Sequence, residues 1–252
     1  MFEAELARRG LQNAAGPSAG QRIVWLPGAR VVVTLDNLAR ELTGGSDDPD
    51  LVSRFTDQLI SAVHPAPLDA SRLYWCLEPN DYQHAADYRA GVSPQLDRVL
   101  VHASDDGALT RWVTSRALGE LGLSADEAAR RGWSNLDAAL RRAVPRTYTA
   151  PGGATLVSFA AGVPSKASLL LAPALREIVS SLTGWPVLAV APDSDFLYVW
   201  NAAHRELIAR LGQAVIREHS RAPHPLSTEV FEISDTIRAT GNYQNRTSPP
   251  AL

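Results

Sequence analysis

Acidic side chains and a histidine crowd together at one place in this sequence: Glu78, Asp81, His84 and Asp87. On a helix, Asp81, His84 and Asp87 stand at successive i, i+3 positions and present one face able to hold a divalent cation or to act as an acid/base pair. Pro79-Asn80 favours a loop instead, where such groups are ordinary solvated side chains. No metal is expected from them. A second acidic candidate is the turn APDSD, with Asp193 and Asp195 between two apolar runs. The candidate binding residues are therefore Glu78, Asp81, His84, Asp193 and Asp195.

Other chemistry-bearing residues are less promising. The single cysteine, Cys76, lies inside the aromatic run Tyr74-Trp75-Cys76-Leu77, where a thiol is expected as a small buried hydrophobe rather than a nucleophile. No pair of histidines has the i, i+4 spacing of a zinc-binding helix. Gly16-Pro17-Ser18-Ala19-Gly20 matches a serine-nucleophile motif only formally, because a strand rather than a helix should follow it; a linker is expected there. Pro151-Gly152-Gly153 lacks the lysine of a phosphate loop, and Gly44-Gly45 leads into Asp47 and Asp48, which repel phosphate. No catalytic residue is assigned and no cofactor is expected.

The chain has 252 residues, 45% of them hydrophobic, enough for one large core or two small ones. No apolar run approaches the roughly 20 residues of a membrane span, and the first thirty residues lack a basic start followed by an apolar block, so no membrane association or export is expected. With one cysteine and no disulfide framework, the cytoplasm is the expected compartment. Net charge is −3 without a basic stripe, which argues against a nucleic-acid partner. The positive charge is nearly all arginine, Lys166 being the one lysine, and no function follows from that.

Periodicity gives the elements that must position these residues. A short helix is expected over Phe2 to Arg9, then a hairpin in RIVWLPGARVVVTL turning at Pro27-Gly28, then a helix in LDNLAREL. Leu51, Val52, Phe55, Leu59, Ile60 and Val63 recur at helical spacing. Strands are expected at RLYWCL and RVLVHASDD, and a helix with its stripe at Leu109, Trp112, Val113, Ala117, Leu118 and Leu121. Ser124-Ala-Asp-Glu127 has the form of a capping box opening a helix through Trp133 and Leu140. After a break at Thr149 to Gly153 come the strand ATLVSFAAG, a helix over Leu175 to Leu182, the hairpin PVLAVAPDSDFLYVW and a helix with Leu207, Ile208, Leu211, Val215 and Ile216. Both hairpin strands are apolar on both faces, which predicts a central, covered position.

The resulting fold class is α+β, antiparallel β-hairpins packed against amphipathic helices in two lobes. The expected lobes are 1–149 and 154–235, with 236–252 a disordered tail.

The serial order of VTLDNL, the strand around Arg72-Leu73-Tyr74, the block from Val99 to Trp133-Ser134-Asn135-Leu136, the hairpin turn with Pro192 and Asp195, and Pro225-Leu226-Ser227 with Phe231 resembles the YtpQ-like family of bacterial proteins. That resemblance implies a fold and carries over no activity, substrate or cofactor. Asp193 and Ser194 stand where the family more commonly has basic or uncharged polar residues.

With no assembled nucleophile, acid and base, the expected function is a non-catalytic module that binds another bacterial protein or regulates it. The alternatives are a hydrolytic or metal-assisted enzyme using Glu78, Asp81 and His84, and a structural subunit of an oligomer.

Overall fold

The computed structural model describes residues 1–16, 20–26, 29–43, 48–63, 68–81, 86–104, 110–150, 152–222 and 224–244. His84, Leu109, the Pro27-Gly28 turn, Gly44-Gly45 and the serine of the formal nucleophile motif lie outside them. Two compact units result, Met1–Pro67 with Arg221–His224, and Leu68–Ser220 with Pro225–Leu252.

In the first unit, helix α1 (Phe2–Arg8) leads into an antiparallel meander of β1 (Gln12–Ala15), β2 (Gln21–Leu26) and β3 (Ala29–Thr34), followed by α2 (Asp36–Thr43) and α3 (Leu51–Val63). The helical spacing of Leu51, Val52 and Phe55 puts one stripe of α3 against Phe2, Leu6, Val24, Leu26 and Leu38. The Phe2 ring meets Phe55 edge-on, centroids 5.6 Å apart. Arg9 ties α1 to α3 by donating to Glu5 Oε1 (2.6 Å), Ser53 Oγ (2.7 Å) and Asp57.

The second unit begins with a 3-10 turn (Ala70–Arg72) and a four-stranded antiparallel sheet, in which β6 (Leu96–Ala103) pairs with β4 (Leu73–Pro79) on one side. On its other side β6 pairs with β5 (Arg89–Gly91) and then β7 (Thr110–Trp112). Helices α4 (Ser115–Leu121) and α5 (Ala125–Arg142) follow. Next come β8 (Val144–Thr149), β9 (Thr155–Ala160), a 3-10 turn (Ala167–Leu171), α6 (Leu175–Thr183), β10 (Val187–Val190), β11 (Tyr198–Asn201), α7 (Glu206–Arg221), β12 (Glu229–Ile233) and β13 (Ile237–Asn242). Strands β8 to β13 form an antiparallel sheet of order β13-β12-β10-β11-β9-β8.

The central placement of β10 and β11 follows from their being apolar on both faces. Leu188, Val190 and Trp200 pack with Leu207 and Val215 of α7, while Val187, Ala189 and Val199 join a larger core with Leu136 and Leu140 of α5 and Leu175 and Val179 of α6. The α5 start is capped as expected, Ser124 Oγ accepting the Glu127 N–H (3.2 Å), although the Glu127 carboxylate pairs with Arg131. No helix among the described residues is long and apolar enough to cross a membrane.

Three expectations change. The helix placed from Leu109 starts only at Ser115: Thr110–Trp112 is a strand on β6, and Thr114 Oγ1 fixes the helix start by accepting the Ala117 N–H (3.2 Å). The lobe boundary at Thr149 to Gly153 is a hairpin turn inside one sheet, since β8 pairs with β9 from Val144–Ala160 to Thr149–Thr155. Glycines that stop helix and strand serve a tight turn equally well, and the units divide near Pro67 instead. Finally, the expected disordered tail from residue 236 contains β13, and Tyr243 beyond it is buried. An edge strand carrying alternate apolar residues is too weakly patterned to stand out from a tail.

Candidate functional site

Glu78 lies in β4 on the face that carries Cys76, and its cross-strand partner is Asp97 of β6. Burial pushes its carboxyl up to about 7, against the pull of a hydrogen bond from Trp112. Asp81 is exposed in the turn after β4, and His84 is outside the described residues. Asp87 is committed elsewhere, its Oδ2 accepting from the N–H (2.6 Å) and Oγ (2.7 Å) of Ser115 at the start of α4. Glu78 is on a strand, Asp81 in a turn and Asp87 in a bend, and the residues that would join the last two on one helical face lie outside the described residues. Among the described residues no three His, Cys, Asp or Glu side chains come together as a metal site. Cys76 is a buried free thiol pushed up to about 12 by burial, which suits packing and not attack.

The turn between β10 and β11 offers more. Asp193 is half-buried and accepts the Asp195 N–H through Oδ1 (2.6 Å), an Asx turn; burial raises its carboxyl above the usual range. Asp195 projects to solvent and pairs with Lys166 Nζ (3.1 Å). The two residues thus divide their work, one shaping the turn and the other facing a cleft.

That cleft, of about 370 Å³, is lined by Arg146 of β8, Ser158, Phe159 and Ala160 of β9, Ala161, Lys166, and Asp195, Phe196, Leu197 and Tyr198 of the hairpin. Register explains the convergence. Arg146 pairs with Ser158, and Val157 pairs with Val199, which places Arg146, Ser158 and Tyr198 in one row across three strands. Tyr198 touches Phe196 (centroids 4.7 Å apart) and Tyr148 (5.9 Å), continuing the row as an aromatic strip. Two cations and one carboxylate line the cleft, so it carries a net positive charge on a chain of net charge −3.

Arg146 brings β8, an outermost strand of the sheet, into this lining, and the six residues of β8 are all exposed. Ala150 donates to the Ala154 carbonyl (2.8 Å) at the hairpin end. Antiparallel alternation from there makes Tyr148–Leu156, Arg146–Ser158 and Val144–Ala160 the bonded pairs. The backbone groups of Thr147 and Thr149 therefore point away from β9, and Pro145 stands at another such outward position, where a missing N–H costs the hairpin nothing.

Of the sequence candidates, the structure brings only Asp195 to this site. No motif in the sequence marks Arg146, Lys166, Ser158 or Tyr198 as site residues. The alternation in Val144-Pro-Arg-Thr-Tyr-Thr149 is a strand signal that could have found β8, but no local pattern joins it to Lys166. Compared with family models, curated proteins and solved structures, the chain matches none.

Proposed function

We propose that this chain is a non-catalytic, cytoplasmic protein-binding module with the fold of the YtpQ-like family, and that it takes up an extended segment of another protein along β8. The open edge of β8 carries this reading. Backbone donors and acceptors at Thr147 and Thr149 are directed outward, ready to bond an added strand. Proline and arginine on an edge also serve to block indiscriminate pairing. What favours binding is that Val144 and Tyr148, 62% and 45% exposed, are two of the five exposed large hydrophobic side chains among the described residues. A strand needing only protection from aggregation would not display them.

The test is to pan the full-length protein against a displayed library of random nine-residue segments. Enriched peptides are expected to slow amide exchange at Thr147 and Thr149, and Thr147→Pro should weaken them at least about tenfold by removing one backbone bond and fixing φ. Peptides that bind the proline variant as tightly as the parent, or a library that enriches nothing, would sink the reading.

A further inference from the structure

We infer that the segment accepted by β8 is acidic, with the pattern apolar-x-acid-x-apolar and its carboxylate seated in the cleft between Arg146 and Lys166. This rests on the strand-addition reading above and adds the chemistry of the partner. Val144, Arg146 and Tyr148 project from the same face of β8, being two residues apart. A strand laid along the outer edge places every second side chain opposite these three, roughly 4.5–5.5 Å away between Cβ atoms. The central one meets Arg146, and its neighbours meet the exposed surfaces of Val144 and Tyr148. The pattern is the same in both chain directions.

The charge arrangement selects a carboxylate at the centre. Arg146 makes no ion pair among the described residues. Among the described residues Lys166 is held only by Asp195, a side chain 71% exposed, and surface pairs of this kind are weak, so an incoming carboxylate competes readily for the ammonium. The guanidinium is suited to bidentate contact, and the hydroxyls of Ser158 and Tyr198 in the same lining supply further donors. A basic residue in that position would face two cations. A second copy of this chain presents Val144, Arg146 and Tyr148 but no acid in β8, so it leaves the cleft unfilled.

The panning experiment separates this inference from the one it rests on. Enriched peptides are expected to carry Asp or Glu flanked at i±2 by apolar residues, and to bind several-fold more weakly at 300 mM salt than at 50 mM. Arg146→Glu combined with Lys166→Glu is expected to weaken acidic peptides at least about tenfold and, when panned afresh, to select Lys or Arg at the centre. Peptides without an acidic preference that are nonetheless lost in Thr147→Pro would overturn the inference while leaving strand addition standing. Peptides indifferent to Thr147→Pro would overturn both. A concentration-dependent dimer, seen by sedimentation and abolished by Thr147→Pro, would assign the edge to a second copy and overturn the acidic partner.

Discussion

The two outer strands of the six-stranded sheet, β13 and β8, face the same physical problem and meet it in opposite ways. β13 is pinned at its end. Tyr243, just beyond the strand, donates its N–H to the Thr228 carbonyl (3.1 Å) and its hydroxyl to the Ile208 carbonyl of α7 (2.8 Å), while Thr228 Oγ1 donates to Asn242 Oδ1 (2.7 Å). The pairing with β12 shifts register between Val230 and Phe231, an irregularity that disfavours further strand addition. At β8 the strand is regular, exposed throughout and bonded on one side only. Stability is invested at one edge, and availability is retained at the other.

The largest expected effect comes from breaking the anchor after β13. Tyr243 is 4% exposed, and its ring lies so close over Gly212 that a Cβ built there would stand 3.0 Å from ring Cδ1. Tyr243→Ala removes a packed aromatic and leaves the Ile208 carbonyl without this donor, a loss of about 3–5 kcal/mol. Urea denaturation measures it. A loss below about 1 kcal/mol would mean that the residues after β13 are held no more firmly than those of β8.

The same contrast explains what the sequence disclosed. Elements with dense apolar periodicity were legible: α3, α5, α7 and the β10–β11 hairpin, whose central place follows from Val187 to Val190 being apolar on both faces. Strands at the margins were not. β13 and β8 each mix polar and apolar residues, and whether Tyr243 is a tail residue or a core residue depends on Gly212, thirty-one positions earlier, leaving room for its ring. The site was legible only through Asp195. Arg146, Lys166 and Tyr198 become neighbours through strand register, which no local motif encodes.

On the four-stranded sheet stands a contact that pH can break. The neutral ring of His102 accepts the Asp69 N–H at Nε2 (2.9 Å), holding the start of the second unit against β6. Burial, with Arg111 and Arg72 nearby, lowers its pKa, so the unfolded chain takes up the proton first. The contribution is therefore fully present above the unfolded value of about 6.5 and is lost as pH falls through and below it. Glu78, raised to about 7, acts in the other direction between the unfolded carboxyl range and neutrality. Comparing the parent with His102→Phe cancels the Glu78 effect. The difference in unfolding free energy is expected to shrink as the pH is lowered from about 7.5 to about 5. A difference independent of pH would show that the imidazole does not titrate differently in the two states.

The smallest expected effect is the sharpest statement about the open edge. Thr147 is exposed, and the hairpin register directs its N–H away from β9, so proline there deletes no ladder bond. Its remaining costs are a shift of φ towards −65° and a restriction on Arg146, which already has the extended backbone that a residue before proline prefers. Reduced entropy of the unfolded chain offsets part of this. Thr147→Pro is therefore expected to change stability by less than about 1 kcal/mol, within the usual range for surface substitutions. The same change one residue earlier is the internal control, because the Arg146 N–H lies in a bonded pair with Ser158. Arg146→Pro deletes that bond and should cost about 2 kcal/mol more. If Thr147→Pro were instead the costlier of the two, the alternation assigned to β8 would be wrong by one residue, and the groups facing an incoming strand would be those of Arg146 and Tyr148.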